Sequence, residues 1–270
     1  MNVAAPPATV FELAPGVLAA FTTRSGGVSR ARYASLNMSG AVGDDPAAVA
    51  RNRELAAHAC GLSRDALTWM KQVHGNRVGC AAGSDDVRIE GDGRIEDDVR
   101  TEGDGRTEEA GAGLDALYTD VPGLALGVLA ADCAPVLIAD PVRRVVGVAH
   151  AGRAGTASGV VPALVAAMSR AGAEPGRMRA VAGPAICGGC YEVGAAVQEE
   201  VAAAVPQTQC TTRAGSAGLD IRAGIAAQLA SAGVTQVRID PRCTAETPGL
   251  YSYRRDGQTG RFAGLAWLEA

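Results

Sequence analysis

Residues 124–150 constrain the fold more than any other part of the chain. Three short apolar runs, Leu124–Ala130, Pro135–Ile138 and Val145–Ala149, are separated by turn-forming residues, which is the pattern of buried strands. Asp140-Pro141-Val142-Arg143-Arg144 joins the last two, so an antiparallel hairpin is expected there. Asp132-Cys133 precedes its first strand and His150 ends its second, which would bring Cys133 and His150 to one end of a sheet. Helical patterns follow at 156–171, 193–204 and 220–232, the last capped by Asp220 and stopped near Gly233. Strands and helices mix without a regular βαβ rhythm, so an α+β fold is expected rather than a doubly wound sheet.

Composition narrows the function. With 270 residues and 47% hydrophobic content, the chain can bury a sizeable core. It has only three Phe, two Trp and five Tyr against 35 Gly, so a stacking platform for nucleic acid is not expected. A net charge of -4 argues against a binder of phosphate backbones, and no apolar run has the length of a membrane helix. The seven cysteines are scattered and odd in number, and the N-terminus lacks a basic region followed by a clean apolar one. A soluble protein of the reducing cytoplasm, with no nucleic-acid or membrane partner, is expected. Lys71 is the sole lysine, hence the sole Schiff-base candidate, and the three histidines (His58, His74, His150) are too few for a multicopper cluster.

A tandem dodecapeptide, DDVRIEGDGRIE at 85–96 and DDVRTEGDGRTE at 97–108, contains ten acidic and four arginine residues. So charged a segment is expected as a solvated loop or floppy hairpin, a flexible insert in a single domain spanning 1–270. An acidic docking arm is the functional alternative.

Chemistry concentrates in three short stretches. Gln72-Val73-His74-Gly75, Asp132-Cys133-Ala134-Pro135 and Ala149-His150-Ala151-Gly152 each set a metal-capable side chain beside small or turn-forming residues. Together they offer two imidazoles and one thiolate, a three-ligand set for zinc with a fourth position open to water or substrate. The bland alternative is two hydrogen-bonded histidines at strand ends and a small buried cysteine. His58, in the helix expected around Arg51–His58, is given no role. Cys187-Gly188-Gly189-Cys190 admits a redox pair or half a zinc clip, but there is no second C-x2-C, and a structural part in a glycine-rich turn is the preferred reading. Ser25-Gly26-Gly27 lacks the rest of a phosphate-loop pattern, leaving Arg24, Arg254 and Arg255 as the anion candidates, with ordinary surface arginines as the alternative.

These motifs add up to a resemblance. Thr22-Thr23-Arg24-Ser25-Gly26-Gly27-Val28-Ser29, Ser35-Leu36-Asn37, Val42-Gly43-Asp44-Asp45 and Gln72-Val73-His74-Gly75 occur in order before the repeat. Asp115–Asp120, Ala131–Leu137, Ala149–Gly152, Gly183-Pro184-Ala185-Ile186, Tyr191-Glu192-Val193 and Ser252–Gly257 follow it. Over nearly its whole length the chain resembles the YfiH-type family, whose members are variously called multicopper polyphenol oxidase (laccase domain), peptidoglycan editing factor and purine nucleoside phosphorylase.

The resemblance implies an α+β fold of packed mixed sheets flanked by helices (a YfiH/CNF-like cysteine hydrolase fold) and a catalytic zinc held by His74, Cys133 and His150. It implies phosphorolysis of adenosine, inosine and methylthioadenosine, with accompanying adenosine deamination. Purine nucleoside and phosphate would be the small-molecule partners of a monomer. Arg24, Asn37, Gln72, Asp132, Arg254 and Arg255 are the residues expected to bind or orient substrate. Copper is the other metal considered, as a single ion rather than a cluster. The rival readings are a metal-free hydrolase in which His150 activates Cys133 toward an amide or peptidoglycan precursor, and a zinc-stabilised binding module. Two departures bear on specificity. The family's HAGWRG reads His150-Ala151-Gly152-Arg153-Ala154-Gly155 here, so Arg153 stands one place before the usual arginine, and the glycine-proline after GPAI is Cys187-Gly188.

Overall fold

The computed structural model describes residues 6–90, 95–100 and 113–270. Two sheets carry most of the chain. One is five-stranded, in the order β1 (Ala8–Ala14), β2 (Val17–Thr22), β15 (Phe262–Leu268), β8 (Ala125–Ala130) and β3 (Leu67–Trp69). The other runs β14 (Gln236–Ile239), β11 (Arg179–Ala182), β9 (Ala134–Asp140), β10 (Val145–Ala151), β7 (Ala116–Thr119), β4 (Val78–Ala81), β5 (Asp86–Glu90) and β6 (Ile95–Arg100). A small ribbon pairs β12 (Gln209–Thr211) with β13 (Ala217–Leu219). The helices are α1 (Pro46–Ala59), α2 (Arg153–Ala157), α3 (Val160–Arg170), α4 (Ala195–Ala204), α5 (Ile221–Ser231) and α6 (Tyr253–Asp256).

Period-two alternation sorts each strand's side chains between two cores. From β9, Leu137 and Ala139 meet Leu126, Val128 and Ala266 of the five-stranded sheet, while Val136 and Ile138 meet Leu164 and Met168 of α3 and Ile225 of α5. On the far face of the five-stranded sheet, Trp69, Leu265 and Trp267 pack against Ala56 and Ala57 of α1. The layers are therefore helix, sheet, sheet, helix. Both faces of the central strands are covered, which is why β9, β10 and β15 read as continuous apolar runs. The buried Arg53 of α1 stacks its guanidinium 4.5 Å from the Trp69 ring centre and donates to the Met38 carbonyl.

The expected hairpin forms, with β9 and β10 antiparallel from Asp140 opposite Val145 to Ala134 opposite Ala151. Buried Asp140 holds its turn, accepting from the backbone N–H groups of Val142, Arg143 and Glu174 and from Arg177. Asp220 caps α5 through the Ala223 N–H, as its position in the sequence suggests. The single helix expected over 156–171 is instead two, α2 and α3, because Gly159 turns the chain through φ +80° between them.

The described part of the repeat joins the second sheet. Its first copy supplies β5, paired with β4 on one side and β6 on the other, and Val87 and Ile89 are buried in the core between the sheets. Charge at alternate positions leaves one apolar face, and that face is enough to extend a sheet. Residues 91–94 and 101–108 lie outside the described residues. No helix among the described residues is long and apolar enough to cross a membrane.

Candidate active site

The hairpin register places the first two metal-capable residues. Pro135 is opposite His150, so Cys133, two residues before Pro135, lies beside the end of β10. His74 arrives from the loop between β3 and β4 with φ +63°, a conformation that needs support in a residue with a Cβ. Asp115, just before β7, supplies it. Its fully buried carboxylate accepts from the N–H groups of Val73, His74 and Gly75 at 3.2, 2.9 and 2.7 Å, and its backbone carbonyl accepts from His150 N–H at 2.8 Å.

The ligand atoms of His74, Cys133 and His150 lie within 4.8 Å of one another, with Cys133 Sγ 4.0 Å from His74 Nε2 and the two imidazoles edge to face. Gly152 makes this convergence possible, since a Cβ there would stand 2.6 Å from Cys133 Sγ. Burial works against ionisation of Asp115, yet the His150 and backbone hydrogen bonds outweigh it and hold the carboxyl below its ordinary value. An ionised carboxylate only accepts, so the proton between Asp115 Oδ1 and His150 Nδ1, 2.9 Å apart, belongs to His150, which leaves Nε2 as the ring atom that could hold a metal. Burial alone would raise the Cys133 thiol, but His150 and His74 bring it down to about 6. Burial alone would lower His150, but Cys133 and Asp115 raise it to about 9.

The three donors open onto a cleft of about 560 Å³. Met70, Leu129, Ile186 and Ile221 give it apolar walls, Tyr191 and Tyr253 supply rings, and Arg153, Arg254 and Arg261 supply cations. Arg254 sits 5.2 Å from the Tyr191 ring centre.

Of the residues expected to bind substrate, Gln72, Asp132 and Arg254 line this cleft. The Gln72 amide is engaged twice with the Leu129 backbone, tying the His74 loop to β8. Asp132, at φ +97°, accepts from Thr244 Oγ1 and the Arg254 N–H, both at 2.6 Å, and so fixes the turn that presents Cys133. Arg24, Asn37 and Arg255 are not among the lining residues. Arg24 pairs with Asp256 and covers Tyr251. Asn37 is buried and bonded to Ser39, Asp44 and the Arg261 N–H. Arg255 is spent on Asp256 and the carbonyls of Thr244, Thr247 and Leu250. Arg153 lines the cleft. Asp115 and Arg261 are the residues that sequence reasoning missed. Asp115 stood in a recognised motif without a role, and nothing local distinguishes Arg261 from its neighbours. His58 is exposed near the end of α1, outside the cluster.

Residues 18–269 match the family model described as multi-copper polyphenol oxidoreductase laccase. The chain belongs to this laccase family. Among laccase-family relatives, a Streptomyces griseus protein named purine nucleoside phosphorylase ORF3 is 48% identical, with 93% of this chain and 94% of that protein covered. The Streptomyces coelicolor purine nucleoside phosphorylase SCO2081 is 46% identical over 92% of this chain and 94% of its own. The crystal structure of the Bacillus licheniformis hypothetical protein YfiH superposes with a TM-score of 0.83 at 32% identity, covering 98% of this chain and 97% of that one. The laccase family's α+β architecture is thus shared along the length of the chain.

Proposed function

We propose that this protein is a zinc-dependent purine nucleoside phosphorylase acting on adenosine, inosine and methylthioadenosine, with adenosine deamination at the same site. The observation that carries this reading is the convergence of His74, Cys133 and His150 on one wall of a cleft whose rim holds three arginines and two tyrosines. The names of the relatives support the choice of substrate.

The donor set fits the metal. Two imidazoles and a thiolate suit zinc with a fourth position open, and Asp115 already holds His150 in the tautomer that metal binding needs. When bound, zinc supplies a Lewis acid for an oxygen of phosphate or water. Copper is the other ion that imidazole and thiolate would accept. Arg153, Arg254 and Arg261 offer guanidinium donors to a phosphate dianion. Tyr191 and the apolar wall accept the purine. In phosphorolysis a phosphate oxygen bonds to the anomeric carbon while the glycosidic C–N bond breaks, its electron pair leaving with the base. The arginines hold the nucleophile in line and exclude competing water.

The deciding assay is hypoxanthine release from inosine with and without phosphate, before and after metal removal. Release that needs both phosphate and metal is the expected result. Release without phosphate would replace phosphorolysis by hydrolysis, and alanine at Cys133 or His150 should abolish every one of these activities together. A second reading has its own observation: Cys133 Sγ and a His150 ring nitrogen lie within 4.8 Å of each other, with the imidazoles lowering the thiol and the thiol and Asp115 raising His150, the pairing a metal-free cysteine hydrolase requires. Turnover of an amide by stripped protein, blocked by iodoacetamide and suppressed by added zinc, would favour it.

A further inference from the structure

The Cys187-x2-Cys190 pair, unexplained by the cleft chemistry, has a partner in the fold. Cys243 forms an isolated parallel bridge with Ala185, and the Thr244 N–H donates to the Ala185 carbonyl. This pairing lays Cys243-Thr244-Ala245-Glu246 beside the first pair. The ligand atoms of Cys187, Cys190, Cys243 and Glu246 all fall within 4.8 Å of one another. Two x2 clips therefore face each other, and a carboxylate stands where a second C-x2-C would have its last thiol.

We propose that Cys187, Cys190, Cys243 and Glu246 form a second metal site, a closed zinc clip distinct from the His74, Cys133 and His150 set. The chemistry favours zinc, because three thiolates and one carboxylate complete a tetrahedral shell and leave no open position. Zinc–sulfur bonds of about 2.3 Å put sulfurs roughly 3.8 Å apart. The donors, all within 4.8 Å of one another, thus stand at most about an ångström wider than that spacing. Hydrogen-bond donors already face two of the sulfurs and the carboxylate. The Cys187 N–H points at Cys243 Sγ at 3.3 Å, and Arg213 donates to both Cys190 Sγ, at 3.1 Å, and the Glu246 carboxylate. Arg255, paired with Asp256, bonds the Thr244 and Thr247 carbonyls and so ties down the second clip. Within the first clip Gly188 packs closely on Cys210, where a Cβ would stand 2.8 Å from the sulfur.

The clip acts on the cleft from behind. Its first arm is bounded by Ile186 and Tyr191, which line the cleft, and the Ile186 N–H donates to the Asp132 carbonyl. Its second arm carries Thr244, whose hydroxyl bonds Asp132 Oδ1. A metal joining the two arms would lock the turn that presents Cys133.

The test uses the full chain, dialysed against buffer and measured for metal by mass spectrometry. C133S removes the active-site sulfur, so any sulfur-bound metal left in that variant belongs to the clip. The expected result is about one zinc retained per C133S chain, and none in C133S carrying C187S and C190S as well. Cobalt loaded into C133S should show sulfur-to-metal charge-transfer absorption, which needs no activity and no further substitution. E246Q should weaken zinc at least about tenfold, the lower end of what even an outer-shell partner costs. A C133S chain that binds no zinc and gives no such absorption overturns the proposal, as does peptide mass spectrometry that finds two of Cys187, Cys190 and Cys243 joined as a disulfide. Failure of the active-site reading leaves these results untouched, because none of them depends on turnover.

Discussion

His150 Nδ1 lies 2.9 Å from Asp115 Oδ1, and the same carboxylate accepts the N–H groups of Val73, His74 and Gly75. One buried side chain thus orients His150 directly and holds the strained loop that carries His74. Asp115→Asn keeps the shape but loses the charge and one acceptor oxygen. Metal affinity is expected to fall about 10- to 100-fold, read by competition with a chelator. Unfolding in urea should show a loss of roughly 1–3 kcal/mol from the unsatisfied loop N–H groups.

Gly152→Ala places a methyl 2.6 Å from Cys133 Sγ, an approach that no Cβ tolerates. The sulfur or the backbone at 152 must shift, which spoils the convergence of the three donors. Expected is loss of the active-site metal and of turnover while the far-ultraviolet dichroism stays unchanged. Retention of both would show that the site can widen without cost.

Arg153→Ala and Arg254→Ala each remove a guanidinium from the cleft rim without touching a metal-capable residue. A charge-assisted contact to phosphate implies that KM for phosphate rises by about 10- to 100-fold, with KM for inosine changed much less. Initial rates with phosphate varied at saturating inosine check this. Arg24→Ala, by contrast, breaks a pair with Asp256 and should leave the phosphate KM near its starting value.

Protein stripped of metal should show an unusually reactive Cys133. Burial raises its thiol, but His150 and His74 bring it to about 6, so the thiolate is present above that pH and lost below it. The imidazolium partner persists until about 9. Alkylation at Cys133 by iodoacetamide, followed by peptide mass spectrometry, is expected to be half-maximal near pH 6, and zinc should protect. A midpoint at the ordinary thiol value would remove the ion pair.

Acid stability should depend on Asp140. Burial disfavours its charge, but the Glu174, Arg143 and Val142 N–H groups and Arg177 outweigh that and hold the carboxyl below its ordinary value. A depressed carboxyl stabilises the fold fully above the unfolded value, near 4, and progressively less as pH falls below it. Asp140→Asn is expected to lower stability at neutral pH by roughly 1–3 kcal/mol and to flatten the acid limb of the stability curve, measured by denaturant midpoints from pH 3 to 7.

What the sequence determined by itself is local. The apolar runs on either side of Asp140–Arg144 mark the β9 and β10 hairpin, and its register puts Cys133 beside His150. Asp220 and Gly233 mark the ends of α5 for equally local reasons, a side-chain cap and a left-handed φ. Other assignments needed the packed molecule. In the sequence Arg24, Arg254, Arg255 and Arg261 are equivalent cations; in the fold Asp256 and nearby carbonyls take Arg24 and Arg255, while Arg254 and Arg261 line the cleft. His74 meets Cys133 across 59 residues, and Cys243 meets Cys187 across 56. Val87 and Ile89 look like part of a charged repeat until β4 offers them an edge to join. The reason is the same in each case. Hydrogen bonding and periodicity along one strand or helix are written in adjacent residues, whereas the competition of one side chain for partners is settled only when distant segments are brought within bonding distance.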